Sequence, residues 1–337
     1  MKNILVVNVN WVGDVIFSSP IFKALKQTYP AARISSLAPL RVREILESIP
    51  QVDEVIVYDE KGEHKSFFAK LKLILQLKNK EFDAVFLLHR SFTRALIVFL
   101  AGIPQRVGYD TKGRGFLLTH KVRPLSGQVH RRDYYLRVIE SYGVKVNDRS
   151  CELAVSPTAQ NEITELLRQR GVGKDDFLVV VNTGGNWDLK RWPKEYFVQL
   201  MDELAGNPKV KVIIPGAGKD EKSVREIAGH LKIKPVVLAG ETTLKQLAAL
   251  MQRAHLVVAA DTGPLHLANS VGAATIGLFG PTWPEVTGPK GKGRFIIIQN
   301  DVGCNRAPCY HLGCPDNVCM QSITVKQVID EIKRFRN

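Results

Sequence analysis

The sequence predicts an α/β fold of two doubly wound halves, and three observations carry that expectation. Short apolar runs alternate with amphipathic stretches of helical length, the series restarts near the middle of the chain, and 337 residues exceed what one hydrophobic core usually organises. With 45% apolar and 24% charged residues, the composition is that of an ordinary globule without solenoid repeats.

In the first half, residues 4–9, 33–38, 54–58 and 84–88 read as buried or half-buried strands. Between them, residues 21–28, 41–48, 67–77 and 93–101 have helical spacing. Such alternation implies a parallel sheet covered by helices on both faces. The second series has strands at 177–181, 210–214, 236–238, 256–260 and 275–279, with helices at 194–204, 221–230, 244–251 and 264–270. A polar helical stretch, 157–173, lies between the two series and ends in Gly171 and Gly173. The chain is thus expected to divide into residues 1–160, 161–322 and a short C-terminal helix within 323–337. Ligands of doubly wound sheets sit beyond the carboxyl ends of the strands, so a cleft between facing halves is the expected site.

The opening, MKNILVVNVNWVGDV, lacks the features of a secretory signal, its apolar run being broken by Asn8, Asn10 and Asp14. The longest apolar run, 95–103, falls far short of the roughly 20 residues a membrane-spanning helix needs. A cytoplasmic protein is expected. The net charge of +14 is uneven: residues 1–150 hold 24 Lys/Arg against 14 Asp/Glu, the remainder 23 against 19. A basic first half points to an anionic partner, whether nucleic acid, a phospholipid surface or a phosphorylated substrate, or else to plain solvation. No nucleic-acid recognition motif accompanies the charge.

Four loops at strand ends carry residues suited to chemistry. The first is Asn10-Trp11-Val12-Gly13-Asp14, where Asp14 either caps a helix or faces a ligand. Gly13 is the only glycine of this turn, so the dinucleotide fingerprint is missing and no nicotinamide or flavin site is expected. The second is Thr183-Gly184-Gly185, whose backbone N–H groups suit a phosphate, followed by Lys190-Arg191-Trp192-Pro193. Lys190 is either a point charge for a pyrophosphate or a solvated turn residue. The third, 215–221, offers Asp220 and Glu221 as acceptors for ribose hydroxyls or as first-turn charges favoured by the helix dipole. The fourth runs Asp261-Thr262-Gly263-Pro264-Leu265-His266, and the N–H groups of the helix it opens attract a diphosphate. His266 faces a ligand or satisfies a core contact.

Cys304, Cys309, Cys314 and Cys319 fall at five-residue intervals with His311 among them, and Cys151 stands apart. Four thiols so close suggest a zinc or iron–sulfur site, although the C-x2-C pairs usual for zinc are missing.

Together these loops resemble a known family. WVGD at 11–14, KRWP at 190–193, DTGPLHLA at 261–268 and FGPTWPEVTGP at 279–289 resemble, in order and spacing, the signature blocks of the ADP-heptose:lipopolysaccharide heptosyltransferases. These are inverting glycosyltransferases of the GT-B fold, two Rossmann-like domains facing across a cleft. The stretch LHRSFTRALIVFLAGIPQRVGYDTKGRGFLLT is similar to their N-terminal domain, and the resemblance extends from residue 1 to about 325. WVGD with KRWP resembles the second of the inner-core enzymes in particular. The resemblance implies that Asp14 is a general base and that Lys190 balances charge on the ADP leaving group. It implies further that Thr183, Gly184, Gly185, Thr262 and Gly263 cradle the diphosphate, and that Asp261 binds sugar hydroxyls. Asp220, with Glu221 as its rival, matches the ribose position, and His266 lies near the donor. The implied partners are ADP-heptose and an anionic lipid A–Kdo acceptor at the inner-membrane surface, with which the protein would associate peripherally. Asn10, Trp11, Arg90, Arg94, Lys112 and Arg114 are its expected acceptor contacts. No cofactor is implied, and no Asp-x-Asp metal motif lies between the strands.

Overall fold

The computed structural model describes residues 1–304, 306–309 and 314–336, and the chain forms two units, Met1–Ala154 and Val155–Asn337. The first holds β1 (Asn3–Val7), β2 (Arg33–Ala38), β3 (Glu54–Val57), β4 (Ala84–Leu87), β5 (Gln105–Tyr109) and β6 (His120–Val122) in the order β3-β2-β1-β4-β5-β6. The second holds β7 (Phe177–Asn182), β8 (Val210–Gly216), β9 (Val236–Ala239), β10 (Leu256–Ala260), β11 (Thr275–Leu278) and β12 (Phe295–Ile298) in the order β12-β11-β10-β7-β8-β9. Every neighbouring pair is parallel. Counted within its own unit, each sheet is the same 3-2-1-4-5-6 arrangement, as the predicted fold class requires.

The central strands are apolar on both faces because helices cover both. Ile4 to Val7 of β1, all of β4 and all of β10 are buried. The nine predicted strands are present, with ends shifted by at most two residues. Three strands went unread, β5, β6 and β12. β6 and β12 are edge strands and β5 is next to the edge, where partial exposure admits residues such as Gln105, Arg106, His120 and Lys121.

Helix Val12–Thr28 starts nine residues ahead of the predicted 21. Ser18, Ser19 and Pro20 argue against a helix there, but burial of Val15, Ile16, Phe17, Ile21 and Phe22 overrides them. The Ser18 hydroxyl donates to the Val15 carbonyl at 2.7 Å and so stays satisfied. An unread helix, Arg131–Glu140, packs against it.

The domain boundaries also need correction. Helix Pro157–Gln169 packs on helix Leu244–Arg253, so the second unit begins before residue 160 rather than after it. The C-terminal helix, Val325–Arg336, is not a separate piece, since Val328, Ile329 and Ile332 are buried in the core of the second unit. Among the described residues, no helix is long and apolar enough to cross a membrane.

Trp192, from the KRWP block, anchors that core. It is 2% exposed, meets the Phe197 ring edge-on at 5.1 Å, and donates its indole N–H to the Ile323 carbonyl at 2.8 Å. Trp192→Ala is expected to destabilise the protein by about 3–5 kcal/mol, measured as a shift in the urea unfolding midpoint.

Candidate functional sites at the two sheet centres

In a 3-2-1-4-5-6 sheet the chain changes its winding direction between strands 1 and 4, and the loops leaving those two strands diverge. Here the divergence falls between β1 and β4 and between β7 and β10.

In the second unit three loops converge at this point. Asn182 ends β7, and its side-chain amide donates to the Gly184 carbonyl at 2.9 Å, fixing the turn. The Arg191 guanidinium donates to the Gly185 carbonyl at 2.9 Å. A Cβ on Gly184 would stand 3.2 Å from the Asp220 carboxylate, and one on Gly185 would stand 3.2 Å from the Thr262 methyl. The two glycines thus let the loops after β7, β8 and β10 approach closely. Thr183 is buried, and Thr262 is the N-cap of helix Gly263–Ser270, whose positive dipole end opens here. Of the two rival carboxylates, Asp220 faces the Gly184 turn, whereas Glu221 pairs with Arg225 of its own helix at 2.8 Å.

Asp261, only 4% exposed, is the hub of this site. Its Oδ2 accepts from Lys190 Nζ at 2.6 Å, Thr282 Oγ1 at 2.7 Å and Thr287 Oγ1 at 3.1 Å, and its Oδ1 meets His266 Nε2 at 3.2 Å. Burial would raise this carboxyl, but His266 and Lys190 together reverse the effect and hold it well below the usual carboxylate range. Lys190 also donates to the Asp261 carbonyl at 3.2 Å and lies 5.4 Å from the centre of the Trp187 ring. Asp261, expected to bind sugar hydroxyls, and His266, expected beside the donor, are thus joined to each other and to Lys190 in one buried cluster. Four side-chain donors occupy the carboxylate, which supports the site from beneath and holds Lys190 in it.

The first unit places Asp14 in the first turn of helix Val12–Thr28, where Trp11, not Asp14, is the N-cap. The Asp14 carboxylate accepts instead from the Tyr135 hydroxyl at 2.8 Å. Burial first, and then Asp14 itself, push the Tyr135 hydroxyl well above its ordinary range, so it remains a neutral donor. Asn10 bridges Arg94 Nη2 at 2.7 Å and His89 Nε2 at 3.1 Å. Arg41 donates to the Asn10 carbonyl at 2.8 Å and stacks over exposed Trp11 at 4.7 Å. Burial, helped by Arg94, Arg114, Lys112 and Arg90, pushes His89 down to about 3, so its ring is neutral and accepts from the Ser91 N–H.

Arg90 and Lys112 are exposed, as acceptor contacts require. Arg94 and Arg114 are not: they are 2% and 0% exposed and donate to backbone carbonyls, Asn8 in one case and Tyr109, His89 and Ser91 in the other. They brace the loops after β1 and β4 instead of meeting an acceptor. Sequence reasoning missed Tyr135, His89, Thr282 and Thr287. Thr282 and Thr287 lie within the FGPTWPEVTGP block, which is the one signal that could have found them.

Cys304, Cys309, Cys314 and Cys319 line one cavity of about 340 Å³ beside Gly280 and Asn317. All are free thiols, and among the described residues no three His, Cys, Asp or Glu side chains are placed to hold a metal ion. His311 lies outside the described residues, and Cys151 is buried in the first unit.

The Asp261 cluster has a pH signature. Its carboxyl is depressed on folding, so its ionised contacts stabilise the protein above the unfolded value of ~3.9 and that contribution is lost as pH falls. The melting-temperature gap between wild type and Asp261→Asn is therefore expected to be widest above about pH 5 and to narrow below about pH 4. A gap that stays constant through that range would remove the charge from this account.

Comparison with known proteins places the chain. The model of glycosyltransferase family 9 (heptosyltransferase) matches residues 70–317. Lipopolysaccharide heptosyltransferase 2 of Salmonella typhimurium is 28% identical over 302 residues, 85% of each chain. Lipopolysaccharide heptosyltransferase 3 of Escherichia coli is 27% identical over 279 residues, 80% of this chain and 81% of that one. The E. coli ADP-heptose heptosyltransferase II structure matches with a TM-score of 0.82 at 25% identity, covering 99% of this chain and 98% of that one. The family 9 structure from Veillonella parvula, 24% identical over 99% of this chain and 97% of its own, shares the fold with a TM-score of 0.87. The resemblance read from the four sequence blocks is borne out, and the chain belongs to glycosyltransferase family 9, the heptosyltransferases.

Proposed function

We propose that this chain transfers heptose, with inversion, from ADP-L-glycero-D-manno-heptose to heptosyl-Kdo2-lipid A in the lipopolysaccharide inner core. We place it peripherally at the inner-membrane surface, where that anionic acceptor resides. The observation that carries the reading is Lys190, pinned by a buried carboxylate beside the Gly184-Gly185 turn and the N-terminus of helix Gly263–Ser270. A cation and backbone N–H groups converging on one point suit a diphosphate. Asp220, facing the same turn, suits the ribose hydroxyls of a nucleotide.

In this reaction the acceptor hydroxyl gives its proton to the Asp14 carboxylate as its oxygen attacks the anomeric carbon. The bond from that carbon to the diphosphate oxygen breaks on the opposite face, and its electron pair departs with ADP. Lys190 and the N–H groups of Thr262 and Gly263 offset the charge that builds on the diphosphate, which requires neither a cofactor nor a divalent ion. Tyr135 orients the base.

Asp14→Asn is expected to lower turnover roughly 10²–10⁴-fold while leaving ADP affinity, read by calorimetry, unchanged. Near-wild-type turnover would assign the base elsewhere. Lys190→Ala is expected to cost about 10²-fold in turnover or more and to weaken ADP binding. It also orphans the Asp261 charge, so the variant should melt earlier, and turnover is compared well below that transition. Added EDTA should cost little. Activity lost to EDTA with an unchanged circular dichroism spectrum, and restored by Mg²⁺, would sink the metal-free mechanism.

A further inference from the structure

Helix Phe67–Lys78 is apolar on two opposite faces. Leu73, Leu77 and half-buried Ile74 pack on the core of the first unit, while Phe67, Phe68, Leu71 and Leu75 line up on the opposite side. A surface helix is ordinarily polar there, yet Phe68 is 80% exposed and Leu75 58%. The adjacent helix, Phe92–Leu100, adds exposed Phe92, Phe99 and Leu100, and exposed Phe116 meets the Phe92 ring at 6.1 Å. Clustered apolar exposure of this kind marks a contact with an apolar partner. The helix itself carries charge of one sign, for residues 64–80 contain five lysines and no acid, with Lys65, Lys72 and Lys78 exposed and the nearest acids, Glu63 and Glu81, lying beyond its ends. Exposed Phe and Leu flanked by lysine complement hydrocarbon lying beneath anionic headgroups.

We propose that this face seats the first unit on an anionic lipid bilayer, the Phe and Leu side chains entering the acyl boundary and the lysines meeting the headgroups. The proposal rests on the reading that the acceptor is a membrane lipid, and it adds the surface through which the enzyme reaches it.

The test is cosedimentation of the full chain with sucrose-loaded vesicles. The protein is expected to bind vesicles of mixed phosphatidylglycerol and phosphatidylcholine but not phosphatidylcholine alone, and added salt should weaken the binding. Phe68→Ser/Leu71→Ser/Leu75→Ser should lower partitioning about ten-fold, and Lys65→Gln/Lys72→Gln/Lys78→Gln should abolish the preference for anionic lipid. Both variants should keep the wild-type circular dichroism, melting temperature and turnover of a deacylated, water-soluble acceptor. A triple-serine variant that partitions like wild type overturns the proposal. So does a wild-type protein that turns over the soluble acceptor yet ignores anionic vesicles. Sedimentation velocity showing a wild-type dimer, a monomeric serine variant and equal vesicle binding would make the face an interface between copies, which also overturns it. Vesicle binding that follows the variants as expected, with no heptosyl transfer, would strike the proposed reaction and still support this surface.

Discussion

Both units are organised by one constraint, the reversal of winding at the centre of a parallel sheet. A right-handed crossover commits each helix to one face, so a chain that winds outward from strand 1 must return to strand 4 and cover the other face. The loops leaving those two central strands cannot pack on each other, and their backbone groups are left for a ligand. The sequence concentrates its chemistry there. Asn10, Trp11 and Asp14 follow β1, His89 and Arg90 follow β4, Thr183 to Gly185 follow β7, and Asp261 to Gly263 follow β10. The strands feeding these loops are almost entirely apolar, so the framework is set by burial and the sites by what burial excludes.

The two units manage buried charge in opposite ways. In the second, an anion lies deepest, and Asp261 stays ionised because Lys190, His266 and two threonines answer it. In the first, two cations lie deepest, and Arg94 and Arg114 are answered by backbone carbonyls and the neutral Asn10 amide, none of which carries a compensating full charge. The uncompensated field then falls on the neighbouring titratable group, His89, which it helps to keep neutral. The basic character of the first half is thus partly internal. Arg90 and Lys112 remain at the surface, while Arg94 and Arg114 brace the loops from below.

These placements show what the sequence could and could not convey. Buried strands such as ILVV and LVVAA are legible because both faces must be apolar, whereas QRVGY and HKV lie toward a sheet edge where that rule relaxes. The positions of Asp14, Lys190 and Asp261 were legible because each closes or follows a strand within a recurring block. The partner of Asp14 was not. Tyr135 lies 121 residues from Asp14 in the chain, and nothing local to RRDYYLRV marks one tyrosine as its donor. Arginine in FTRALIVFL reads as a surface charge by type, although its apolar neighbours on the helix were a hint of burial.

The paired burial of Asp261 and Lys190 bears on how such a site works. A lysine free on its four-carbon stem would have to be ordered as negative charge develops on a leaving group, and that ordering would be subtracted from its effect. Holding Nζ against both the carboxylate and the carbonyl of Asp261 completes the ordering during folding. The cost is that the carboxylate cancels part of the ammonium charge. That cost is tolerable only if the N–H groups of an adjacent helix terminus add positive potential without a counter-ion, as helix Gly263–Ser270 does, beginning two residues after Asp261. The order Asp-Thr-Gly-Pro then follows physically. The aspartate orients the cation, the threonine takes the N-cap position with its methyl against the Gly185 turn, and the proline sits in the first turn of the helix without spending an N–H.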